Sequence, residues 1–349
     1  MNHRSIVFSC LLSLAPAAAF CQTPAQSDYQ VAEALAIPST REVAVDLLWA
    51  LWRGQPESLR GKTGLALSGG GARGMAHVGA LRHLLEIGYP IEAVAGSSIG
   101  GLVGGLYAAG VDIDGIESMG REMGKKDFTD ESAAHMIRLA LSDGLASSEP
   151  MERWLRTRFG KKTFDDTRVP FVTCAVDLAS GELIFLKEGD LASSIRAAIT
   201  IPGLFEPASI RQYFLVDGGL LFNIPTAAAY KLGAENVLLL DVSSRNQGKP
   251  LTRPPSSIRA LYRSIQIQGD LREEENYVSG DYTLRILTQD FEIFEFDRYD
   301  QLWEMGAHEA RAHSLDLKLA FVEKAMLKRG RQFFVAGHAR GGEGGHDRP

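Results

Sequence analysis

The sequence predicts an α/β fold, with a mostly parallel central sheet covered by helices on both faces. Short apolar runs alternate with helix-like segments from Gly64 onward, and glycine-rich turns join the first two runs to the helices that follow. Strands that alternate with helices form parallel sheets, because each crossover helix packs on a sheet face. With 45% hydrophobic and 23% charged residues, the chain has ordinary globular composition and can build a sizeable core.

The individual elements are predicted from the spacing of apolar residues and from glycines that end helices or form turns. The first helix carries apolar residues at helical spacing over 78–85 and stops at Gly88. Residues 111–165 are charged and helical, which indicates an insertion on the sheet. The predicted strands are Leu65–Leu67, Ala93–Ala95, Phe171–Val176, Leu183–Leu186, Phe214–Val216 and Val237–Val242. The predicted helices are Ala76–Ile87, Leu102–Ala109, Leu191–Ala198, Thr226–Leu232 and one or two over Asp300–Met326.

The N-terminus has the pattern of a secretory signal over residues 1–19. Arg4 is the positive charge, Ile6–Leu14 the apolar core and Ala17–Ala19 the small residues at the cleavage site. The apolar core is well under the ~20 residues of a spanning helix. We therefore expect export, to the periplasm or the medium. Lipidation at Cys21 is not expected, because Phe20 stands where a small residue is needed.

Charge and cysteine content exclude two broad classes. The 37 Lys and Arg residues against 43 Asp and Glu give a net charge of −6, so there is no basic footprint for nucleic acid. Three cysteines are too few for a disulfide scaffold. Cys174 lies in an apolar run and is predicted to be a buried free thiol.

A nucleophile elbow is predicted at Gly96–Gly100, which reads G-x-S-x-G between a predicted strand and a predicted helix. The central Ser98 would stand on a tight turn with its hydroxyl clear of the sheet. Gly96 and Gly100 would let the strand and the helix approach each other closely. Ser97 lies off the motif's centre and is a poor candidate. The alternative is a glycine-rich turn without chemistry.

A glycine loop follows the first predicted strand and enters a helix. It matches G-x-G-x-x-G, but a dinucleotide site would also need an acid at the end of the second strand, and a P-loop would need Gly-Lys-Ser/Thr. We interpret the loop as an oxyanion hole, because consecutive glycines expose backbone N–H groups that stabilise a developing negative charge. Arg73 would brace the loop or attract an anionic head group. The predicted oxyanion residues are Gly69, Gly70, Gly71, Ala72, Arg73 and Gly74.

The base that a serine nucleophile needs has two candidates. Asp217 stands where a predicted strand meets the turn residues Gly218 and Gly219, and partial burial would raise its pKa toward a useful value. The second candidate is a Ser–Asp–His triad, for which His308 and His313 are the histidines late enough in the chain outside the tail.

The three motifs together resemble the patatin-like phospholipase family. GGGARG at Gly69–Gly74, GSSIG at Gly96–Gly100 and DGG at Asp217–Gly219 occur in the family's order, and the resemblance extends over Thr63 to Val242. It implies a three-layer α/β/α fold and hydrolysis of acyl-lipid esters without a metal, nucleotide or other cofactor. It also implies a Ser–Asp dyad, with Ser98 as nucleophile, Asp217 as general base and Gly69–Gly74 as oxyanion loop. The chain looks like an exported bacterial member.

The resemblance also organises the chain into segments. We expect a signal peptide at 1–19, an N-terminal segment at 20–60, the patatin-like catalytic core at 61–245, a C-terminal extension packed on the core at 246–336 and a flexible tail at 337–349. An acyl lipid is the expected partner, with transient membrane contact. Candidate contact surfaces are Val43–Trp52 and the group Trp154, Leu155 and Phe159, each of which is alternatively core. A non-catalytic lipid-binding protein is the alternative function. Oligomeric state, head group and chain length do not follow from the sequence.

Overall fold

The computed structural model describes residues 38–123, 149–243 and 277–341, together with parts of 260–271. The chain divides into two units, residues 1–46 and 47–349, and the first is described over residues 38–46 alone. The predicted signal peptide and Cys21 lie outside the described residues. Within these ranges no helix is both long and apolar enough to cross a membrane.

Among the described residues, one mixed sheet contains eight strands in the order β5-β6-β3-β2-β1-β7-β8, with β4 also paired to β3. The pairs β3-β2-β1-β7-β8 are parallel, and β4, β5 and β6 add antiparallel pairs on the β3 side. The predicted α/β class with a mostly parallel centre is confirmed. The strands are β1 Thr63–Leu67, β2 Val94–Gly96, β3 Phe171–Asp177, β4 Leu183–Leu186, β5 Ala208–Ile210, β6 Tyr213–Asp217, β7 Asn236–Asp241 and β8 Tyr282–Arg285.

Three helices, Ile99–Ala108, Leu191–Ala198 and Thr226–Lys231, pack on this sheet, whose central strands β1, β2, β3 and β7 are buried throughout. Buried parallel strands of this kind read as continuous apolar runs, which is why they were predictable. The helices are α1 Thr40–Arg53, α2 Glu57–Arg60, α3 Met75–Glu86, α4 Ile99–Ala108, α5 Ile113–Met123, α6 Glu149–Phe159, α7 Leu191–Ala198, α8 Thr226–Lys231, α9 Tyr299–Ala312 and α10 Ser314–Gly341.

Two strands were not predicted, and the C-terminal helices differ from their predicted bounds. Strand β5 has three residues and β8 is a half-buried edge strand, so neither has an apolar run long enough to stand out. The span Asp300–Met326 is divided between α9 and α10, which meet at His313. Helix α10 continues to Gly341, so residues 337–341 are helical although they were predicted to belong to the flexible tail.

The aromatic residues of the two candidate lipid-contact segments lie mostly in the core, whereas Val43, Leu47 and Leu51 of the first segment are exposed. Trp49 and Trp52 are 3% and 5% exposed and stack with ring centroids 4.7 Å apart. The Trp49 indole Nε1 donates to the Ile87 carbonyl at 2.8 Å. On α6, Leu155 and Phe159 are buried as well. Burial is favoured because each of these large side chains removes much apolar area from water.

Candidate active site

Ser98 lies on a strained turn between strand β2 and helix α4. Its backbone has φ +49° and ψ −126°, in the left-handed half of conformational space that L-residues seldom adopt. The flanking glycines make this turn possible. A Cβ on Gly96 would lie 2.3 Å from the Gly100 carbonyl oxygen, and a Cβ on Gly100 would lie 2.3 Å from the Leu67 carbonyl oxygen. The geometry is that of a nucleophile elbow.

Strand register brings Asp217 to this elbow. On β3, Thr173 is paired with Gly96 of β2, and Ala175, two residues further, is paired with Asp217 at the end of β6. The ends of β2 and β6 therefore lie beside the same short stretch of β3, although 119 residues separate the two side chains in sequence. The Ser98 hydroxyl donates a hydrogen bond to Asp217 Oδ2 at 2.6 Å.

The Asp217 carboxylate is held by its own turn and is buried. Its Oδ1 accepts a hydrogen bond from the Gly219 amide at 2.8 Å, and its own amide donates to the Thr200 carbonyl at 2.8 Å. Burial raises the pKa of Asp217 to about 6, and the hydrogen bonds from Ser98 and Gly219 oppose that rise. A carboxylate with a raised pKa accepts a proton more readily and still ionises near neutral pH, as a general base must.

Two neighbouring polar side chains, those of Ser97 and Cys174, are buried and are not assigned a chemical role. Ser97 is fully buried, and its hydroxyl donates to the Phe222 carbonyl at 2.7 Å. Cys174 is a buried free thiol, as predicted, and its Sγ lies 3.8 Å from Ser97 Oγ. Burial raises the pKa of the Cys174 thiol to about 12, so this thiol stays protonated and unreactive.

The glycine loop lies beside Ser98, and several of its amides already donate hydrogen bonds to carbonyl groups. The Gly69 amide donates to the Asn223 carbonyl at 3.1 Å, Ala72 to the Ile293 carbonyl at 2.8 Å and Arg73 to the Gly70 carbonyl at 3.3 Å. Among the described residues, no acceptor receives the amide of Gly70 or Gly71. A Cβ on Gly69 would lie 3.1 Å from Ser98 Cβ, so the loop lies directly beside the Ser98 side chain.

The histidines considered for a triad lie elsewhere. His308 is an exposed residue of α9, and His313 is an exposed residue whose Nε2 lies 3.5 Å from Glu309 Oε2. His77 is fully buried with Nε2 2.8 Å from the Ser68 carbonyl oxygen, and burial lowers its pKa to about 4. Within the described ranges, no imidazole is hydrogen-bonded to Ser98 or Asp217.

Sequence reasoning missed two contributors to the site. Asn223 supplies the carbonyl that accepts the Gly69 amide, and its Oδ1 would lie 2.1 Å from a Cβ on Gly69 and 3.3 Å from one on Gly219. Its side chain therefore lies between the glycine loop and the Asp217 turn. The second contributor is the segment around Phe291 and Ile293, which contacts the loop from the C-terminal part of the chain. Asn223 closely follows the DGG motif, whereas nothing in the sequence marks the second contributor.

Several known proteins are similar to a part of this chain. A 196-residue stretch is 31% identical to an uncharacterised NTE family protein of Mycobacterium tuberculosis and covers 56% of this chain and 53% of that protein. A 282-residue alignment with "Lysophospholipase NTE1" of Mycosarcoma maydis is 30% identical and covers 72% of this chain and 15% of that protein. The chain thus spans about half of the first relative and a small part of the second.

A solved structure and a family model complete the comparison. Human GIVD cytosolic phospholipase A2, crystallised with a fluorophosphonate inhibitor, matches 84% of this chain and 65% of its own at 12% identity, with a TM-score of 0.42. Residues 65–230, which contain the elbow, the glycine loop and Asp217, match the model of the patatin-like phospholipase family. This stretch, just under half of the chain, is therefore a patatin-like phospholipase domain.

Proposed function

We propose that this protein is a lipid acyl hydrolase of the phospholipase A or lysophospholipase type, and that it works through a Ser98–Asp217 dyad. The observation that carries the proposal is the 2.6 Å hydrogen bond from the Ser98 hydroxyl to Asp217, on a strained elbow beside two unengaged amides. Relatives that are named lysophospholipases, together with the family match over 65–230, support the lipid ester as substrate class.

In the first half of the proposed reaction, Ser98 Oγ attacks the ester carbonyl while Asp217 Oδ2 takes the hydroxyl proton. The negative charge that develops on the carbonyl oxygen is stabilised by the amides of Gly70 and Gly71. When the tetrahedral intermediate collapses, the bond to the leaving alcohol breaks and Asp217 returns its proton to that alcohol. The fatty acyl group stays on Ser98 as an ester.

In the second half, water replaces the alcohol. Asp217 accepts a proton from the water as its oxygen attacks the acyl-enzyme carbonyl, and the same two amides stabilise the second tetrahedral intermediate. Collapse breaks the bond to Ser98 Oγ, which recovers a proton from Asp217. The fatty acid leaves and the dyad returns to its starting state, so no redox partner is consumed.

The experiment that tests the class of reaction is a substrate panel with purified protein. Phospholipid, lysophospholipid, triacylglycerol and p-nitrophenyl ester hydrolysis are measured in parallel, together with labelling by a fluorophosphonate probe. We expect release of fatty acid from at least one lipid and stoichiometric labelling. Binding of lipid without turnover or labelling would instead support the non-catalytic lipid-binding alternative.

Replacing the two surface histidines separates the dyad from a triad. His308→Ala and His313→Ala are expected to keep kcat within about two-fold, because both side chains are exposed and His313 pairs with Glu309. A triad would lose several orders of magnitude on removal of its histidine. The measurement is kcat on a p-nitrophenyl ester, and a loss of 100-fold or more in either variant would contradict the dyad.

The pH profile should report the raised pKa of Asp217. The base works only when ionised, so kcat/KM is expected to rise about tenfold per pH unit below pH 6 and to level off above it. An ordinary, exposed aspartate would place this limb near pH 4. The profile is measured with an uncharged ester, so that substrate ionisation does not contribute. A plateau that extends unchanged down to pH 4 would contradict a buried aspartate base.

Export and membrane contact belong to the same proposal. The signal-like pattern at residues 1–19 supports cleavage after Ala19 and release to the periplasm or the medium. N-terminal sequencing of the protein recovered from each cell fraction tests this cleavage. Contact with a lipid surface follows from the substrate class, and co-sedimentation with phosphatidylglycerol vesicles tests it.

A further inference from the structure

The glycine loop is held from outside by a segment of the C-terminal part of the chain. The Ile293 carbonyl accepts the Ala72 amide at 2.8 Å, and the Phe291 carbonyl accepts the Arg73 Nε–H at 2.8 Å. These acceptors lie beyond residue 230, where the family match ends. Two consecutive residues of the loop are therefore bound by main-chain oxygens that the three family motifs do not include.

The same segment dictates the backbone of Gly71. This residue has φ +57°, and a Cβ on it would lie 2.4 Å from the Ile293 carbonyl oxygen and 2.9 Å from Ile293 Cβ. Left-handed backbone and the absence of space both require glycine here. The Ile293 carbonyl already accepts the Ala72 amide, so that amide is not available to an oxyanion, and the loop turns at Gly71. The amides of Gly70 and Gly71 remain available to an oxyanion.

The residues on either side of Phe291 and Ile293 are held near both ends of the loop. The Thr288 hydroxyl donates to the Val242 carbonyl at 2.9 Å, and the Val242 amide donates to Ser68 Oγ at 2.9 Å, just before the loop. After the loop, helix α9 packs on helix α3 so closely that a Cβ on Gly306 would lie 1.9 Å from the Ala76 carbonyl oxygen. The contact with the loop is thus part of the core packing.

We infer that Phe291–Ile293 is a positioning element for the oxyanion amides, and that Arg73 affects catalysis through the Phe291 carbonyl rather than through a substrate head group. The inference rests on the proposed function, since it concerns how the same site is held. Arg73 is half-buried, and the atom that donates to the Phe291 carbonyl is Nε, the guanidinium nitrogen nearest the aliphatic part of the side chain. A displacement of the amides by about 1 Å would cost on the order of 100-fold in rate.

Arg73→Lys and Arg73→Met distinguish the two roles of the arginine. Lysine keeps the charge but places a methylene where arginine has Nε, so it loses the hydrogen bond to Phe291 as methionine does. We expect both variants to lower kcat by roughly 10- to 100-fold with KM unchanged. The loss should be the same on p-nitrophenyl butyrate, phosphatidylcholine and phosphatidylglycerol, because a misplaced oxyanion hole affects every ester. Fluorophosphonate labelling should slow in parallel, and Arg211→Lys, an exposed arginine, is the control.

Other outcomes would overturn the inference. If Arg73→Lys behaves like wild type, or if the losses are confined to KM or to phosphatidylglycerol, the arginine serves a head group. Should both variants fail to fold, Thr288→Val removes the anchoring hydrogen bond to Val242 with little change of shape. If folded Thr288→Val has the kcat and labelling rate of wild type, this result would also contradict the inference. Wild-type hydrolysis and Ser98-dependent labelling test the proposed function separately, so failure there is not confused with failure here.

Discussion

Ser98→Ala is expected to lower ester hydrolysis by at least about 10⁴-fold and to abolish fluorophosphonate labelling. The elbow presents Oγ to the substrate with its proton already directed at Asp217 Oδ2, 2.6 Å away. Without Oγ no acyl-enzyme forms, and residual turnover would depend on water attacking beside the two loop amides. The measurements are kcat/KM on a p-nitrophenyl ester and in-gel labelling of the purified protein.

The neighbouring serine is the matched control for this variant. Ser97 is also buried, but its hydroxyl donates to the Phe222 carbonyl rather than to Asp217. Ser97→Ala should therefore keep labelling and lose less than about tenfold in rate, since one buried carbonyl loses one hydrogen bond. Persistent labelling of Ser98→Ala at wild-type rate would show that another nucleophile reacts, and the dyad would be wrong.

Asp217→Asn is expected to reduce kcat by about 10³- to 10⁴-fold while leaving the protein at least as stable as wild type at pH 8. The amide keeps the shape of the carboxylate but cannot take the Ser98 proton. The sign of the stability effect follows from the raised pKa. Between about pH 4 and pH 6 the folded state holds a proton that the unfolded state releases, so the ionised carboxylate at pH 8 costs stability. Removing that charge should leave Tm unchanged or raise it.

Asp177 supplies the control carboxylate for this prediction. It ends β3, next to β6, and hydrogen bonds from Ser180 lower its pKa. A carboxylate with a lowered pKa stabilises the fold above its ordinary pKa, so Asp177→Asn should lower Tm at pH 8 and leave kcat within a few-fold. If Asp217→Asn instead loses Tm and keeps activity, Asp217 is a structural turn residue and the proposed base is elsewhere.

The motifs of the proposed site were readable from sequence because each one is local. A Gly-x-Ser-x-Gly run between an apolar strand and a helix predicts a tight turn, and Ser98 indeed adopts φ +49° there. Strands β1, β2, β3 and β7 were predictable for a similar reason, since strands buried on both faces are continuous apolar runs, and the partly exposed β4 and β6 were predictable from shorter apolar runs. The short β5 and the edge strand β8 lack that signal, and their pairing depends on neighbours far away in sequence.

The geometry on which the proposal of an aspartate base rests belongs to the tertiary structure. Both Asp217 and His308 follow Ser98 along the chain, and sequence order allows either to be its partner. The observation that favours Asp217 is the register of β3, which pairs with Gly96 and with Asp217 two residues apart, whereas His308 stands exposed on α9. The pKa of Asp217 is likewise a tertiary property, because it arises from burial by elements that are distant in the chain.

The sequence by itself determined the fold class, the elbow, the glycine loop and the strand-end aspartate, because turns and apolar runs are set by residues within a few positions. The tertiary structure decided which amides of the loop remain available and what holds them. Those depend on the carbonyls of Asn223 and Ile293, which reach Gly69 and Ala72 after long-range packing. A main-chain oxygen carries no side-chain signature, so sequence patterns cannot mark it as part of a site.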